Sequence, residues 1–271
     1  MITRDTTLHA DVVCEAGDAG VLAPDGERYA LLIGADGVKL DLAGHRLVVP
    51  YRLSATPILR ALGIFGHSRV TVANGELTEQ VTLRDVHHSR LVDITISGYI
   101  ADLHLIGSSF NRLRRVRLVQ DMSSALFLRE GSNRNVVERG SFGGIVLADS
   151  DRNRIRRNRT CTFDTELIVG PGADANVIAH NTFGDGTTRC SFRDGIRVEE
   201  GARGTRLIGN TASGHALDDG IDVDDPSTVL IRNTADGNGD LGIEAVPGVL
   251  GVGNRASGNG NPLQCVGVVC R

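Results

Sequence analysis

The sequence repeats a short motif at intervals of about two dozen residues: Asp194-Gly-Ile-Arg-Val-Glu-Glu200, Asp219-Gly-Ile-Asp-Val-Asp-Asp225 and Leu241-Gly-Ile-Glu-Ala-Val246. In each copy apolar and polar residues alternate, which is the pattern of a β-strand with one buried face. A strand that returns once per repeat of this length is typical of a solenoid, in which each repeat adds one turn to a stack. Functional side chains of a solenoid are expected on an outward face.

The alternation continues towards the N-terminus. Seven segments align as one stack of strands, here called the main stack, whose first and third residues are apolar and are expected to point inward because side chains alternate across a strand. They are Leu103-His-Leu105, Leu126-Phe-Leu128, Ile145-Val-Leu147, Leu167-Ile-Val169, Ile196-Arg-Val198, Ile221-Asp-Val223 and Ile243-Glu-Ala245.

A second register precedes the main stack in each repeat and closes on an asparagine, at Asn158, Asn181, Asn210, Asn233 and Asn254. An asparagine at one position per turn can adopt a left-handed conformation and bond its amide to the next turn, which forms a ladder. We therefore predict an all-β chain that folds as a single-domain right-handed parallel β-helix of about ten coils. Residues 1–34 are expected to form an N-terminal cap and first coil, 35–254 the coils, and 255–271 a C-terminal cap.

The amino-acid composition excludes some classes of function and partner. The 271 residues carry a net charge of -4, with no Trp, three Tyr and Lys39 as the only lysine, so a lysine base is almost excluded. No apolar run reaches membrane-spanning length, and we expect no membrane partner. The residues after Met1 lack a secretory signal pattern. We expect a cytoplasmic protein if Met1 is the natural start, and otherwise a secreted one whose signal has been removed.

Several segments resemble actinobacterial right-handed parallel β-helix repeat proteins of the pectin-lyase-like superfamily. They are Ile2-Thr-Arg-Asp-Thr-Thr-Leu-His-Ala-Asp11, Gly37-Val-Lys-Leu-Asp-Leu-Ala-Gly-His45, the Asn-Thr-Ala repeated at Asn210 and Asn233, and Gly258-Asn-Gly-Asn-Pro-Leu-Gln-Cys265. The resemblance covers nearly the whole chain and implies the β-helix fold. Polysaccharide lyases, polygalacturonases and mannuronan epimerases belong to this superfamily. The chain lacks the paired-aspartate and Gly-His-Gly set of the polygalacturonases and the Tyr-Gly-Phe-Asp-Pro-His signature of the mannuronan epimerases.

The outward residues of the main stack are candidates for a site: His104, Phe127, Val146, Ile168, Arg197, Asp222 and Glu244. Neighbouring rungs lie roughly 4.8 Å apart, so Glu199, Asp222 and Asp224 are expected to be close enough to share a cation or a proton. Like charges at this distance require either a bound hard cation or a carboxyl group with a raised pKa. The simpler interpretation is a solvated polar face on which Arg197 neutralises its neighbours.

In lyases of the superfamily, acidic side chains hold Ca²⁺ against a uronate carboxylate while an arginine or lysine abstracts the proton alpha to it. This resemblance implies Arg197 as the base, beside Asp222 and with Glu166 one rung away as further catalytic candidates. His104, which flanks the apolar residues of the same column, is also a catalytic candidate. The resemblance also implies Glu199, Asp222 and Asp224 as ligands of Ca²⁺, and no organic cofactor. Substrate contacts are expected from Phe127, Arg129, Val146, Ile168 and Glu244, of which the apolar three could form a pocket floor or could be covered by a loop.

The five cysteines suggest structural roles. Cys161 and Cys190 lie at equivalent positions on consecutive coils and are expected to form a disulfide or a buried thiol stack. The alternative is a metal cluster or an activated thiol that includes His215. Cys265 and Cys270 are expected to close the C-terminal cap in an oxidising environment, which leaves Cys14 unpaired.

Charge is divided along the chain. Residues 112–159 contain twelve arginines and five acids, whereas residues 194–244 contain eleven acids and four arginines. A basic band of this kind could hold an anionic chain, although a solvated face is the simpler interpretation. It lacks the interleaved aromatic residues that single-stranded nucleic-acid grooves use for stacking, so no nucleic-acid partner is expected.

These observations predict a carbohydrate-active enzyme, a lyase or epimerase that acts on an acidic, uronate-type saccharide at a carboxylate and arginine site. The first alternative is an intracellular isomerase or cyclase that encloses a small apolar metabolite over the same sheet. The second is a non-catalytic binding protein, because a β-helix needs no active site to be stable. The sequence does not decide between a monomer and a homo-oligomer.

Overall fold

The computed structural model describes residues 1–15, 18–50, 59–162, 164–184 and 192–271, with the backbone alone at 120–123. Throughout these ranges the regular structure is β-strand. None of the described segments forms a helix long and apolar enough to cross a membrane. Residue contacts divide the chain into two compact units, unit 1 (Met1–Asn135) and unit 2 (Val136–Arg271).

Unit 1 contains fourteen strands. They are β1 (Thr6–Thr7), β2 (Val12–Val13), β3 (Val21–Leu22), β4 (Arg28–Ile33), β5 (Lys39–Asp41), β6 (Arg46–Val48), β7 (Leu59–Phe65), β8 (Thr71–Thr78), β9 (Val81–Arg84), β10 (Arg90–Ile100), β11 (Leu103–Ile106), β12 (Arg112–Arg114), β13 (Arg117–Ser123) and β14 (Ala125–Arg129). Its main sheet stacks β4, β7, β9, β11 and β14 in parallel, and β3 pairs antiparallel with β4.

Unit 2 contains eighteen strands. They are β15 (Val136–Glu138), β16 (Ser141–Phe142), β17 (Gly144–Leu147), β18 (Arg154–Arg156), β19 (Arg159–Thr160), β20 (Leu167–Val169), β21 (Val177–Ala179), β22 (Thr182–Phe183), β23 (Ile196–Val198), β24 (Arg206–Ile208), β25 (Thr211–Ala212), β26 (Ile221–Val223), β27 (Val229–Ile231), β28 (Thr234–Asp236), β29 (Ile243–Ala245), β30 (Leu250–Val252), β31 (Arg255–Ser257) and β32 (Cys265–Val266).

Each turn of unit 2 contributes three strands. The main sheet stacks β17, β20, β23, β26, β29 and β32. A second stack runs through β15, β18, β21, β24, β27 and β30, and a third through β16, β19, β22, β25, β28 and β31. All of these pairings are parallel. The predicted all-β right-handed parallel β-helix is therefore confirmed, whereas the single-domain boundaries and the cap limits stay predictions.

The predicted direction of the main-stack side chains is also confirmed. In all seven segments the first and third residues are buried, as in Ile196 and Val198 or Ile221 and Val223. The residue between them is more accessible, as at Arg197. Alternation of apolar and polar residues on strands of three or four residues therefore fixes which side chains form the core and which face outward.

The asparagine ladder is confirmed in unit 2. Each side-chain Nδ2 donates to the Oδ1 of the next asparagine at 3.0 to 3.1 Å, from Asn158 through Asn181, Asn210 and Asn233 to Asn254. The predicted left-handed conformation, however, belongs to the residue before each asparagine: Arg157, His180, Gly209, Arg232 and Gly253 all have φ between 51° and 65°. The asparagine side chain points into the core, so the turn is made one residue earlier.

The cysteines behave mostly as predicted. Cys265 and Cys270 form a disulfide at the C-terminus, and Cys14 is free. Cys161 is disulfide-bonded, and its predicted partner, Cys190, lies outside the described residues. His215 is fully buried whereas Cys161 is exposed, which argues against the alternative cluster that would combine them.

We expect the Cys265–Cys270 disulfide to contribute modestly to stability, because it closes a short loop at the chain end. Replacing both cysteines by serine should lower the free energy of unfolding by about 2 kcal/mol. Urea denaturation followed by circular dichroism would measure this. The matched control is Cys14→Ser, which removes a free thiol and should leave the urea midpoint unchanged. An equal loss in both variants would contradict a role for the disulfide.

Candidate active site

The repeated motif brings an arginine and several carboxylates together on the main sheet of unit 2. Strands β20, β23, β26 and β29 pair in register, so that Ile168, Arg197, Asp222 and Glu244 form one outward column. The sequence predicted this order. The parallel register places side chains of one column roughly 4.8 Å apart.

Arg197 lies among three carboxylates. Its guanidinium nitrogens are 3.7 Å from Asp194, 3.8 Å from Asp222 and 3.6 Å from Asp224. Partial burial alone would lower the pKa of Arg197, but Asp222, Asp194 and Asp224 outweigh this and raise the pKa above its usual value. The Arg197 side chain therefore carries a positive charge at neutral pH, and its predicted role as the base stays a prediction.

Asp222 has the properties of a proton-transfer group. Its side chain is 16% exposed, and burial, followed by the nearby charges of Asp224 and Asp194, raises its pKa to about 7 despite the opposing effect of Arg197. A carboxyl group with this pKa is close to half ionised at neutral pH, so it can both accept and return a proton. Asp222 therefore lies on the outward face, as predicted, and its raised pKa is suitable for proton transfer.

A second acidic group lies at the edge of the sheet. The carboxylate oxygens of Asp194, Asp218 and Asp219 lie within 4.8 Å of one another. Burial, and then the charge of Asp218, raises the pKa of Asp194 to about 6. Burial is also the main cause that raises the pKa of Asp219 to about 7, and a hydrogen bond to Glu244 acts in the same direction. Two carboxyl groups can share a hydrogen bond only if one holds a proton.

Glycines help to fix these aspartates. Each motif aspartate precedes a glycine against which another part of the coil packs closely. A Cβ at Gly195 would lie 2.5 Å from the His215 ring, and one at Gly220 would lie 2.7 Å from the carbonyl oxygen of Ala212. The Asp-Gly pair of the motif therefore combines an edge carboxylate with a site that no larger residue can occupy.

The predicted cation ligands are only partly brought together. Asp222 and Asp224 both face Arg197. Glu199 instead extends along the preceding turn, where a Cβ at Gly170 would lie 3.3 Å from its Oε2. Asp194, Asp218 and Asp219 are the better oxygen set for a hard cation, because their carboxylate oxygens lie within 4.8 Å of one another.

Glu166 does not belong to this face, which corrects its predicted catalytic role. Its side chain is fully buried, accepts hydrogen bonds from the Thr160 hydroxyl and from the Gly184 N–H at 2.6 Å, and lies 3.9 Å from Nε2 of His215. The residue precedes the inward Leu167 at the bend before β20, where the chain directs it into the interior. Burial lowers the pKa of His215, whose Nδ1 is 2.9 Å from Asn238.

The remaining predicted residues divide between the units. In unit 1, the His104 ring stacks on Phe127 at 4.8 Å, the Arg129 guanidinium lies 4.1 Å from the centre of the same ring, and Nε2 of His104 is 3.9 Å from Asp102. In unit 2, Val146 and Ile168 pair in register and are half-buried. Their roles in substrate contact stay predictions.

A depression beside Asp224 could receive a ligand. It has a volume of about 440 Å³ and is lined by Glu200, Asp224, Pro226, Val246 and Pro247. Small-molecule sites commonly have volumes of this order. Asp224 therefore links the open depression to the Arg197 cluster.

The fold has known counterparts. A variant of the periplasmic alginate epimerase AlgG superposes with a TM-score of 0.56 at 14% identity, covering 88% of this chain and 67% of the epimerase chain. The Dettilon tailspike protein gp208 superposes with a TM-score of 0.54 at 13% identity, covering 86% of this chain and 54% of the tailspike. The chain shares the parallel β-helix fold of these two proteins. It spans only about half of the tailspike, no protein-family model matches it, and no curated protein matches it in sequence.

Three members of the candidate site were not predicted from the sequence. Asp194 and Asp219 open two copies of the motif, and Asp218 precedes the second, yet all three stand outside the alternating residues that define the outward face. The available signal was the repeated Asp-Gly before a buried strand. It marks an acidic group at the sheet edge rather than on the sheet itself.

The raised pKa values of these carboxyls predict a pH-dependent stability in metal-free buffer. The folded pKa values of Asp194, Asp219 and Asp222 exceed the ordinary 3.8, so the folded protein retains protons that the unfolded chain releases from about pH 4 to 7. Their stabilising effect is present below this window and is lost as pH rises through it. We expect the free energy of unfolding to be about 1 to 3 kcal/mol lower at pH 8 than at pH 5.

Two variants test this. Asp219→Asn should reduce the difference between pH 5 and pH 8 measured by urea denaturation. Asp41→Asn should leave it unchanged, because hydrogen bonds from Asn74 and Lys39 lower the pKa of Asp41 to about 2. The contribution of Asp41 is lost only as pH falls below about 4. If both substitutions changed the pH dependence of the free energy of unfolding equally, the carboxyl groups of the acidic cluster would not be its cause.

Proposed function

We propose that unit 2 carries the active site of a lyase or epimerase that acts on an acidic, uronate-type polysaccharide. The observation that carries the proposal is the pairing of Asp222, whose pKa is raised to about 7, with the permanent cation Arg197 at 3.8 Å on an outward face. The likeness of the fold to that of an alginate epimerase supports the choice of substrate class. Lyases and epimerases of uronates share one first step, the removal of the proton alpha to the carboxylate.

We assign to Arg197 the binding of the substrate carboxylate. A guanidinium can donate two parallel hydrogen bonds to a carboxylate, and the side chain of Arg197 is 42% exposed. Its ion pairs with three aspartates are 3.6 to 3.8 Å long, longer than direct hydrogen bonds. An incoming carboxylate would therefore meet a charged donor whose hydrogen-bonding capacity is not fully used.

Asp222 is assigned the proton transfer. In its ionised form it accepts the proton alpha to the carboxylate, and the electron pair left on carbon delocalises into the carboxylate held by Arg197. In a lyase this pair then forms a carbon–carbon double bond as the glycosidic oxygen leaves. In an epimerase the carbon takes a proton from the opposite face of the sugar.

Glu244 is suited to supply a proton. It lies next to Asp222 in the outward column and is exposed, so its carboxyl group can exchange protons with solvent. Delivery of this proton either to the leaving oxygen or to the carbon would complete the reaction.

A calcium ion forms part of the proposal. Asp194, Asp218 and Asp219 provide the all-oxygen donor set that Ca²⁺ prefers. When bound, the ion would neutralise the acidic edge and stabilise negative charge that develops on the substrate. The carboxyl groups of this set would then ionise at lower pH than they do without it.

We further propose that the protein works in an oxidising compartment. Two positions, Cys161 and the Cys265–Cys270 pair, are disulfide-bonded, and such bonds persist mainly outside the cytosol. A polymeric substrate is consistent with that setting. This proposal differs from the cytoplasmic expectation for a chain that starts naturally at Met1.

The experiment offers the protein a panel of polyuronates, including polymannuronate and polygalacturonate, with a neutral glucan as the control. Absorbance of the unsaturated sugar reports elimination, and proton NMR in deuterated water reports epimerisation through exchange of the alpha proton. We expect one polyuronate to react and the glucan to remain unchanged, with activity lost in chelator and restored by Ca²⁺. Binding without either reaction would instead support the non-catalytic alternative.

A further inference from the structure

A compact group of arginines lies on the outside of unit 2, away from the residues of the Arg197 site. It is here called the arginine surface and consists of Arg139, Arg154, Arg156, Arg157 and Arg159, all of them exposed. Their neighbours Ile155, Asn158 and Thr160 are buried, so alternation along β18, the ladder turn and β19 directs the arginines outward. Arg139 lies at the equivalent turn of the neighbouring coil, where its N–H donates to the carbonyl of Arg156.

Most of these charges have no partner. Arg156 donates to Glu138 at 2.7 Å. Among the residues that the structure describes, the other four form no ion pair. Unpaired like charges on adjacent turns repel one another, so an anion that binds them would remove an unfavourable interaction.

The turn itself does not require arginine. Arg139 and Arg157 adopt the left-handed conformation, with φ of 57° and 56°, at the position before the ladder. Gly209 and Gly253 occupy the same position in later coils with φ of 59° and 65°. Glycine adopts this conformation without the steric cost that a side chain incurs. The same position also holds His180 and Arg232, so the turn accepts glycine or a larger residue and does not by itself select arginine at 139 and 157.

The side-chain chemistry defines the ligand. Arginine presents a planar fork that matches carboxylate and sulfate groups bidentately, better than lysine does. The arginine surface contains no aromatic residue on which a base could stack. We infer that the arginine surface is a second, non-catalytic binding surface that holds the carboxylate groups of an anionic polysaccharide chain.

This inference rests on the proposed function for the identity of the polymer. The acidic site by itself repels a polyanion, so a separate cationic surface would raise the local concentration of the substrate chain. Short oligomers that reach only the Arg197 site would gain nothing from it. We therefore expect the affinity of the protein for the polysaccharide to increase with the length of the chain.

The experiment compares two triple variants with equal loss of charge. The test variant is Arg154→Gln, Arg157→Gln and Arg159→Gln. The control is Arg46→Gln, Arg69→Gln and Arg115→Gln, three arginines of unit 1 that are ion-paired with Glu76, Asp36 and Asp93. Binding of fluorescent polygalacturonate and polymannuronate is measured by anisotropy at several salt concentrations, with the Asp222→Asn substitution added to every protein to prevent turnover.

We expect the test variant to bind at least one polyuronate about tenfold more weakly and with a smaller salt dependence, because fewer ion contacts form. The control should stay within about twofold of the protein that carries Asp222→Asn alone. Equal loss in both variants, or binding of neither polyuronate, would overturn the inference. Tighter binding of single-stranded or duplex DNA, with the same dependence on the three arginines, would also overturn it.

Turnover separates this inference from the proposed function. With Asp222 intact, the test variant should show a raised KM on the polymer and unchanged kinetics on a uronate trisaccharide. If no polyuronate reacts but arginine-dependent binding persists, the proposed function fails and the binding surface stands. If turnover is observed and binding is indifferent to the arginines, only the binding surface fails.

A single substitution adds a readout that a merely structural role would not give. Arg157→Gly relieves the left-handed conformation, so we expect Tm to rise by about 1 to 3 °C while binding of the polyuronate weakens about two- to threefold. A structural arginine would show a fall in Tm instead. Arg157→Gln keeps the side-chain bulk and the conformation, and should weaken binding with no gain in Tm.

Discussion

Replacement of Asp222 by asparagine is expected to lower kcat on the reactive polyuronate by about 10² to 10⁴. Asparagine has nearly the same shape but cannot accept the alpha proton. The change also removes one of the three carboxylates around Arg197, which leaves the guanidinium more available to the substrate carboxylate. We therefore expect KM to stay the same or fall. Initial rates from product absorbance or solvent-exchange NMR give both parameters.

The matched control is Asp164→Asn. Asp164 is exposed in the same unit, and its carboxylate lies 3.5 Å from Arg193. The substitution therefore removes the same charge as Asp222→Asn but leaves the carboxylates around Arg197 in place. Its kcat should equal that of the original protein. In the original protein kcat/KM should fall as pH decreases through about 7, where Asp222 becomes protonated. A substantial kcat in Asp222→Asn would assign the proton transfer to another residue.

Replacement of Asn210 by alanine should cause the largest loss of stability, about 3 to 5 kcal/mol. Its Oδ1 accepts hydrogen bonds from the main-chain N–H and the side-chain Nδ2 of Asn181, both at 3.0 Å. Its Nδ2 donates to the carbonyl of Ile178 at 2.8 Å and to Asn233 at 3.1 Å. Alanine leaves these buried groups without partners in an interior that water does not reach.

Urea denaturation followed by far-ultraviolet circular dichroism measures this effect. The control, Asn261→Ala, removes two surface hydrogen bonds: the one that Asn261 donates to Asp240 at 2.8 Å and the one that it accepts from the Leu263 N–H at 3.1 Å. We expect it to change the free energy of unfolding by less than about 1 kcal/mol, since water can replace the lost partner. Similar losses in the two variants would mean that the buried ladder contributes no more than a surface contact.

The strands and the ladder were predictable because both depend on local rules that repeat. Alternation at Ile221, Asp222 and Val223 gives the inward and outward directions, and recurrence in every coil gives the parallel register. The conformation at the ladder was less predictable. Arg157 and Arg232 adopt the left-handed conformation, whereas residue preferences would assign that conformation to the asparagines that follow them.

The site was predictable only in outline. Register alone placed Arg197 beside Asp222, but the protonation of each group depends on burial and on all nearby charges. Three carboxylates raise the pKa of Arg197, and burial raises the pKa of Asp222 to about 7. Glu166 was misplaced because a residue at a bend follows the path of the chain, which alternation within strands does not specify.

The three-strand turn of unit 2 has a practical consequence for engineering. Each coil meets its neighbours through the same asparagine amide and the same kinds of apolar side chain, so its upper and lower contacts are interchangeable. A duplicated coil inserted between β23 and β26 would preserve the interior while separating Arg197 from Asp222 by one additional step. The distance between the side chains of Arg197 and Asp222 can thus be set in whole steps of one coil.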